Sequence, residues 1–137
     1  MRIKYDIALM KYITVFEYLT QAKVKDCLLY QGGLLFIVEQ NEIGKAIGRK
    51  GINVQRLEHA LQKRIRVVEF NPELHSFIQN LIAPLRATEI KSQDDIVLIV
   101  GPDTKTKGLL IGRNGQNLRQ YEEVAQRYFP IKEIKVI

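Results

Sequence analysis

A ten-residue pattern that occurs twice constrains the fold of this 137-residue chain more than any other feature. Residues 44–53 and 108–117 both read G-x-x-I-G-R-x-G-x-N, and the two copies are offset by 64 residues throughout. A single G-x-x-G is uninformative in a chain with nine glycines. Two extended copies at one constant offset indicate a duplicated structural unit.

The sequence around each copy predicts the same series of helices and strands. Apolar residues after each pattern recur at helical spacing, so each pattern begins an amphipathic helix. Buried strands are predicted at residues 34–38 and 96–100, alternating strands at 64–68 and 133–137, and first strands at 25–30 and 88–91. Each series also opens with a helix. The predicted order is helix, strand, strand, helix, G-x-x-G, helix, strand, written twice, which is an α+β fold.

The two opening helices are predicted from apolar stripes. Leu9, Tyr12, Ile13 and Phe16 form the first stripe, and the second runs from residue 74 to residue 85. Asn71 is the expected N-cap of the second helix, followed by Pro72 at its first position. Pro84 is expected to end that helix close to Ile82.

The division of the chain follows from the repeat. We expect one domain at residues 1–70 and a second at 71–137, with no Gly/Ser-rich linker between them. Each domain has about 65 residues, a size at which an independent core is marginal. The sequence therefore predicts a rigidly joined tandem.

Positive charge is concentrated in one part of the chain. The sequence has 21 Lys and Arg residues against 15 Asp and Glu residues, a net charge of +6. Between residues 44 and 66, seven cations face one acid, Glu58, so this stretch (seven minus one) equals the whole net charge. Its cations are Lys45, Arg49, Lys50, Arg56, Lys63, Arg64 and Arg66. Such a focus indicates either a polyanion partner or a solvated charged face.

Sequence patterns of enzymes, metal sites and membrane proteins are missing. Residues 44–51 lack the spacing and hydroxyl of a phosphate-binding loop, and no carboxylate cluster or G-x-S-x-G occurs. Cys27 is the single cysteine, and His59 and His75 have no partners at ligand spacing. No apolar run approaches the roughly 20 residues of a membrane span. We expect no catalytic residue, metal or cofactor, no membrane contact, and a cytoplasmic location.

The two loops resemble a known signature. Ile47-Gly48-Arg49-Lys50-Gly51 and Ile111-Gly112-Arg113-Asn114-Gly115 are similar to the I-G-x-x-G signature of KH domains. The order of elements resembles the prokaryotic type II form, and two such domains in one chain resemble the archaeal NusA-like transcription factors. The resemblance implies two three-stranded sheets packed against helices, and a chain that binds single-stranded RNA.

The expected RNA contacts lie in and after the two loops. Glycine lets a nucleic-acid backbone approach the main chain, and the helix that follows offers unpaired N–H groups to a phosphate. The first copy carries more positive charge and is expected to supply more of the salt-dependent affinity, whereas Gly44 and Gly108 are expected to allow close helix packing. The candidate RNA-binding residues are Ile47, Gly48, Arg49, Lys50, Gly51, Ile52, Arg56, Ile111, Gly112, Arg113, Asn114, Gly115 and Arg119.

Two functions fit this sequence. The first is a monomeric factor that binds nascent RNA and regulates transcription elongation, termination or antitermination. The second is a KH scaffold or RNA-binding factor in ribosome assembly or RNA processing. RNA polymerase and ribosomal assemblies are the corresponding partners. Because the G-R-x-G loop is intact in both copies, the sequence favours the first function.

Overall fold

A computed structural model describes residues 7–137 of the chain. By its internal contacts the chain divides between Asn71 and Pro72 into two compact units. We call the described residues 7–71 the first unit and residues 72–137 the second unit. No helix in the described part is long and apolar enough to cross a membrane.

The first unit contains three helices and three strands. In chain order they are α1 (Ile7–Thr20), β1 (Val24–Tyr30), β2 (Gly33–Val38), α2 (Ile43–Ile47), α3 (Ile52–Leu61) and β3 (Ile65–Glu69). The strands form one sheet in the order β1-β2-β3, with β1 antiparallel and β3 parallel to β2.

The second unit repeats this order. Its elements are α4 (Leu74–Ile82), β4 (Glu89–Gln93), β5 (Ile96–Val100), α5 (Thr104–Ile111), α6 (Gln116–Gln126) and β6 (Glu133–Val136). The sheet order is β4-β5-β6, again antiparallel and then parallel. The predicted α+β class with two three-stranded sheets packed on helices is confirmed.

The core of the first unit lies between its sheet and its helices. Phe16 of α1 stacks on Phe36 of β2 with ring centroids 4.2 Å apart, and both rings are fully buried. Leu57 of α3 and Ala46 of α2 belong to the same cluster. Burying one such aromatic side chain contributes about 1.5–3 kcal/mol. The cluster therefore fixes α2 and α3, the two helices that flank the first G-x-x-G loop.

The core of the second unit is built around Phe77 of α4. Its ring centroid lies 5.7 Å from the ring centroids of both Tyr128 and Phe129, which follow α6. Val97 and Ile99 of β5 are also fully buried. These contacts hold the helix that follows the second G-x-x-G loop against α4.

The start of α4 differs from the prediction, whereas its end agrees. Helix α4 ends at Ile82, as the position of Pro84 predicts. Its N-cap is Glu73 and not Asn71: the Glu73 carboxylate accepts hydrogen bonds from the N–H groups of His75 and Ser76. A longer side chain two residues further along the chain therefore takes the place of the expected asparagine cap.

Candidate nucleic-acid interface

The first G-x-x-G loop is a tight left-handed connection between α2 and α3. Gly48 has φ 74° and ψ 174°, Lys50 has φ 55° and ψ 28°, and Gly51 has φ 74° and ψ 16°. Residues Arg49–Gly51 form a single 3₁₀ turn before α3 begins. Positive φ values are accessible to glycine and costly for most other residues, so the loop depends on both glycines.

The second loop has the same conformation. Gly112 has φ 73° and ψ 175°, Asn114 has φ 57° and ψ 27°, and Gly115 has φ 72° and ψ 15°. Each backbone angle given lies within one degree or two of its counterpart in the first loop. The repeated sequence pattern therefore encodes a repeated loop structure.

The asparagine that ends each pattern holds its loop closed. Asn53 Nδ2 donates to the Lys45 carbonyl oxygen at 2.8 Å. In the second unit, Asn117 Nδ2 donates to the Leu109 carbonyl oxygen at 2.9 Å. Each bond ties the first turn of the later helix to the end of the earlier one. Sequence reasoning missed this role, although the asparagine is identical in both copies.

The same asparagines explain why the first residue of each loop is a glycine. A Cβ on Gly48 would lie 2.8 Å from the Asn53 amide, and one on Gly112 would lie 2.6 Å from Asn117 Cγ. The space beside these glycines is therefore occupied by the protein itself, contrary to the idea that both glycines are there for a nucleic acid. Beside Gly51, by contrast, a Cβ would meet nothing within 4 Å. The open side of the first loop is at its second glycine.

Replacing Asn53 by alanine is expected to loosen the first loop while leaving the core intact. The change removes the bond to the Lys45 carbonyl, and a lost hydrogen bond costs about 1 kcal/mol of unfolding free energy. Chemical denaturation measures this cost, and Asn117→Ala is the matched change in the second unit. Equal stability of Asn53→Ala and the parent chain would contradict a structural role for the asparagine.

Gly44 and Gly108 do not serve close helix packing. Both lie on exposed helix surface, and a Cβ at either position would meet no atom within 4 Å. The expectation from the sequence is therefore wrong at these two positions.

The helices that begin at the loops have open N-termini. The N-cap residues of α3 and α6 are Gly51 and Gly115, and neither helix has a side-chain cap in the described part of the chain. By contrast, α4 and α5 are capped by Glu73 and Asp103. The capped N–H groups lower the pKa of both carboxyls, because they stabilise the charged form. The same electrostatics favours an anion from outside at α3 and α6.

The cations of the first loop are available to such an anion. Arg49 and Lys50 are exposed, and neither forms an ion pair with any residue from 7 to 137. Lys45 differs, because its Nζ lies 3.3 Å from a Glu42 carboxylate oxygen. The Lys23 backbone N–H and then Lys45 lower the pKa of Glu42. The charge of Lys45 is thus partly neutralised, and Arg49 and Lys50 carry the positive charge that is not in an ion pair within the described residues.

Four further arginines lie on α3, at the second loop and on the sheet of the first unit. Arg56 is exposed on α3, and Arg113 is exposed in the second loop. Arg119 folds back to donate to the Asn114 carbonyl oxygen of its own loop. Arg66 lies on the sheet face away from α1 and α3, because its neighbours Ile65 and Val67 point into the core. The basic stretch at 44–66 is therefore not one continuous surface.

Apolar side chains flank both loops. Ile47 is 37% exposed and Ile52 is 41% exposed on the two sides of the first loop. Ile111 is 36% exposed before the second loop, where Gln116 replaces the second isoleucine. Each loop therefore combines a polar, left-handed turn with an apolar neighbour, and the first has such a neighbour on both sides.

Two equivalent glutamates are structural. Glu58 Oε2 accepts from the Ile65 N–H at 3.1 Å, and Glu122 Oε2 accepts from the Ile134 N–H at 2.9 Å. Each carboxylate joins the later helix of its unit to the strand that follows. Neither acid reduces the charge at a loop, which lies at the other end of the same helix.

Comparison with known proteins agrees with this geometry. The KH domain family matches residues 10–81, a range that contains the first loop. The chain also resembles the crystal structure of APE1850, with a TM-score of 0.77, 27% identity, and coverage of 97% of this chain and 100% of that one.

Curated relatives extend the match over almost the whole sequence. A Methanococcus vannielii protein named "Probable transcription termination protein NusA" is 31% identical over 100% of this chain and 81% of its own length. A Halococcus morrhuae protein of the same name is 30% identical over 99% of each chain. A Methanocaldococcus jannaschii protein of that name is 29% identical over 91% of this chain and 70% of its own. From its loops, its fold and these relatives, the chain belongs to the KH-domain proteins of the archaeal NusA-like family.

Proposed function

We propose that the chain binds single-stranded RNA through both G-x-x-G loops and acts in the regulation of transcription. The observation that carries the proposal is the pair of loops with one backbone conformation, each opening an uncapped helix beside exposed cations. KH domains use this loop to hold about four backbone nucleotides.

The first loop offers a phosphate three kinds of contact. The N–H groups at the start of α3 point toward it, the open side of Gly51 permits close approach, and Arg49 and Lys50 supply positive charge. Ile47 and Ile52 give the bases an apolar surface. Arg56 lies further along α3, where it extends the contact along the RNA.

The second loop is expected to contribute less charge and more hydrogen bonding. Arg113 is its open cation, whereas Asn114 is neutral and Arg119 is tied to the loop backbone. The proposed RNA contacts of the second unit also include Ile111, Gly112 and Gly115. We expect the first unit to dominate the salt-dependent part of the affinity.

The names of the relatives support a role in transcription. Proteins similar over most of this chain are named as probable transcription termination proteins. We propose that the target is nascent RNA and that binding affects elongation, termination or antitermination. Co-purification from the native cell tests the partner: RNA polymerase subunits support this role, and ribosomal particles would favour ribosome assembly instead.

The two units are proposed to act as one body. We infer domains at residues 1–70 and 71–137, and four residues without a Gly/Ser linker separate β3 from α4. A rigid join raises the effective concentration of the second loop once the first has bound. NMR relaxation tests this inference, because two rigidly joined domains of a monomer tumble with one correlation time, whereas independent domains tumble faster and separately.

Fluorescence anisotropy with a labelled, unstructured 12-nucleotide RNA tests the binding itself. We expect saturable binding at micromolar protein that weakens with added salt, and weaker binding to an RNA duplex of equal length. Absence of salt-sensitive binding to the single strand at that concentration would overturn the proposed function.

Exchanging the third residue of the G-x-x-G loop between the two units separates the effect of charge from the effect of backbone conformation. Lys50 has a left-handed backbone, which asparagine adopts more readily than lysine. Lys50→Asn is expected to maintain or raise the unfolding free energy and to weaken RNA binding several-fold. Asn114→Lys is expected to do the opposite on both counts. Anisotropy titrations and urea unfolding measure the two effects, and unchanged affinity in both variants would refute the charge argument.

A further inference from the structure

A depression of about 390 Å³ lies beside the second loop, on the surface formed by that loop and α6. Its volume falls within the range of small-ligand sites. We call it the α6 depression, and it is lined by Arg113, Asn114, Gln116, Arg119, Gln120 and Glu123. All of these side chains are polar, and the set contains two cations, one carboxylate and three amides.

One donor of the depression, Arg119, is held in place. Arg119 Nη2 donates to the Asn114 carbonyl oxygen, and the guanidinium lies over Gly115, where a Cβ would be 3.6 Å from Nη2. A guanidinium has five N–H donors, so most of them stay free for a ligand. The anchored Arg119 therefore presents a fixed donor edge, unlike the open side chains of Arg49 and Lys50.

The acceptors lie on the same face of α6. Glu123 is four residues after Arg119, and the two form no ion pair in the described part of the chain. Gln120 lies between them, and its Oε1 atom is buried with no hydrogen-bond partner among residues 7–137. A buried acceptor without a partner is unfavourable until a donor reaches it. The depression thus combines unpaired acceptors with one fixed donor, Arg119.

The first unit has no equivalent set. At the 64-residue offset, Gln116, Arg119, Gln120 and Glu123 correspond to Ile52, Gln55, Arg56 and His59. The carboxylate and the anchored guanidinium are both absent there. Whatever the α6 depression recognises is therefore specific to the second unit.

We propose that the α6 depression binds the edge of an RNA base that carries both an amino group and a carbonyl oxygen, namely cytosine or guanine. The Glu123 carboxylate accepts from the amino group, and the Arg119 guanidinium donates to the carbonyl oxygen. Uracil has no amino group, and adenine has no carbonyl oxygen. This inference rests on the proposed RNA binding through both loops and adds to it that the second unit also reads the edge of one base.

Anisotropy with the full chain tests the proposal on four labelled RNAs. Three are octamers of uridine with one central cytidine, guanosine or adenosine, and the fourth is the uridine octamer. We expect cytidine or guanosine to raise the affinity about tenfold over uridine, the size of one good base contact, and adenosine to raise it less. The arm that responds identifies which of the two bases is read.

Glu123→Ala removes the acceptor and is expected to reduce that preference to less than about threefold. Glu133→Ala is the matched control, because it removes the same group and the same charge at an exposed position on β6, outside the depression. Salt-sensitive binding with equal affinity for all four RNAs would overturn this inference and leave the proposed function standing. An unchanged preference in Glu123→Ala would overturn it as well. No binding to any of the RNAs would overturn the proposed function itself.

Discussion

Replacing Arg49 and Lys50 together by aspartate is expected to weaken binding to a short unstructured RNA at least about tenfold at low salt, which corresponds to about 1.4 kcal/mol. Both side chains are exposed, and neither forms an ion pair within residues 7–137. Their charges are therefore available to RNA phosphates, and reversing them turns attraction into repulsion. Anisotropy at a fixed low salt concentration measures the loss.

The corresponding change in the second loop is the control. Arg113→Asp with Asn114→Asp is expected to weaken binding less, because one of the two replaced residues was neutral. Circular dichroism and thermal unfolding should match the parent chain in both variants, since all four side chains are exposed. Equal losses of affinity would show that the predicted asymmetry between the loops is wrong.

Gly48→Ala is expected to damage both the loop and RNA binding. The residue has φ 74°, and the new Cβ would lie 2.8 Å from the Asn53 amide. A strained backbone of this kind costs about 1–3 kcal/mol, and the displaced amide also loses its bond to the Lys45 carbonyl. Urea unfolding is expected to show the loss of stability, and RNA titration a loss of affinity.

Gly44→Ala provides the contrast in the same motif. Gly44 lies in α2, and a Cβ there would meet nothing within 4 Å. Alanine favours a helix over glycine by about 1 kcal/mol, so stability is expected to hold or rise. If Gly44→Ala and Gly48→Ala destabilised the chain equally, the proposed packing of Asn53 against Gly48 would be wrong.

The order of the elements was predictable because it depends on local patterns. Strand β5 consists of β-branched and apolar residues, and it lies at Ile96–Val100, as predicted. Helix α4 ends at Ile82, because proline at position 84 cannot continue it. The duplication supports each assignment, because the same pattern predicts the same element in both halves of the chain.

The side-chain contacts that shape the site were harder to predict. Asn53 and Lys45 are eight residues apart, and their hydrogen bond exists only because the loop reverses the chain. Gly44 lies on the exposed surface of α2, because no other element of the described chain packs against it there. The sequence motif alone does not show which elements pack together. Position in the sequence groups Arg66 with the loop cations, but strand alternation places it on the face of the sheet away from α1 and α3.

The salt dependence of RNA affinity, which reports the release of counterions, tests RNA binding at the loops most directly. The observed association constant for a single-stranded RNA should fall linearly with salt on logarithmic axes, with about 0.7 added to the slope for each phosphate contacted. Neutralising two contacts through Arg49→Gln with Lys50→Gln should therefore reduce the slope by about 1.4. A slope that is the same in this variant and in the parent chain would place the RNA backbone elsewhere and contradict the account.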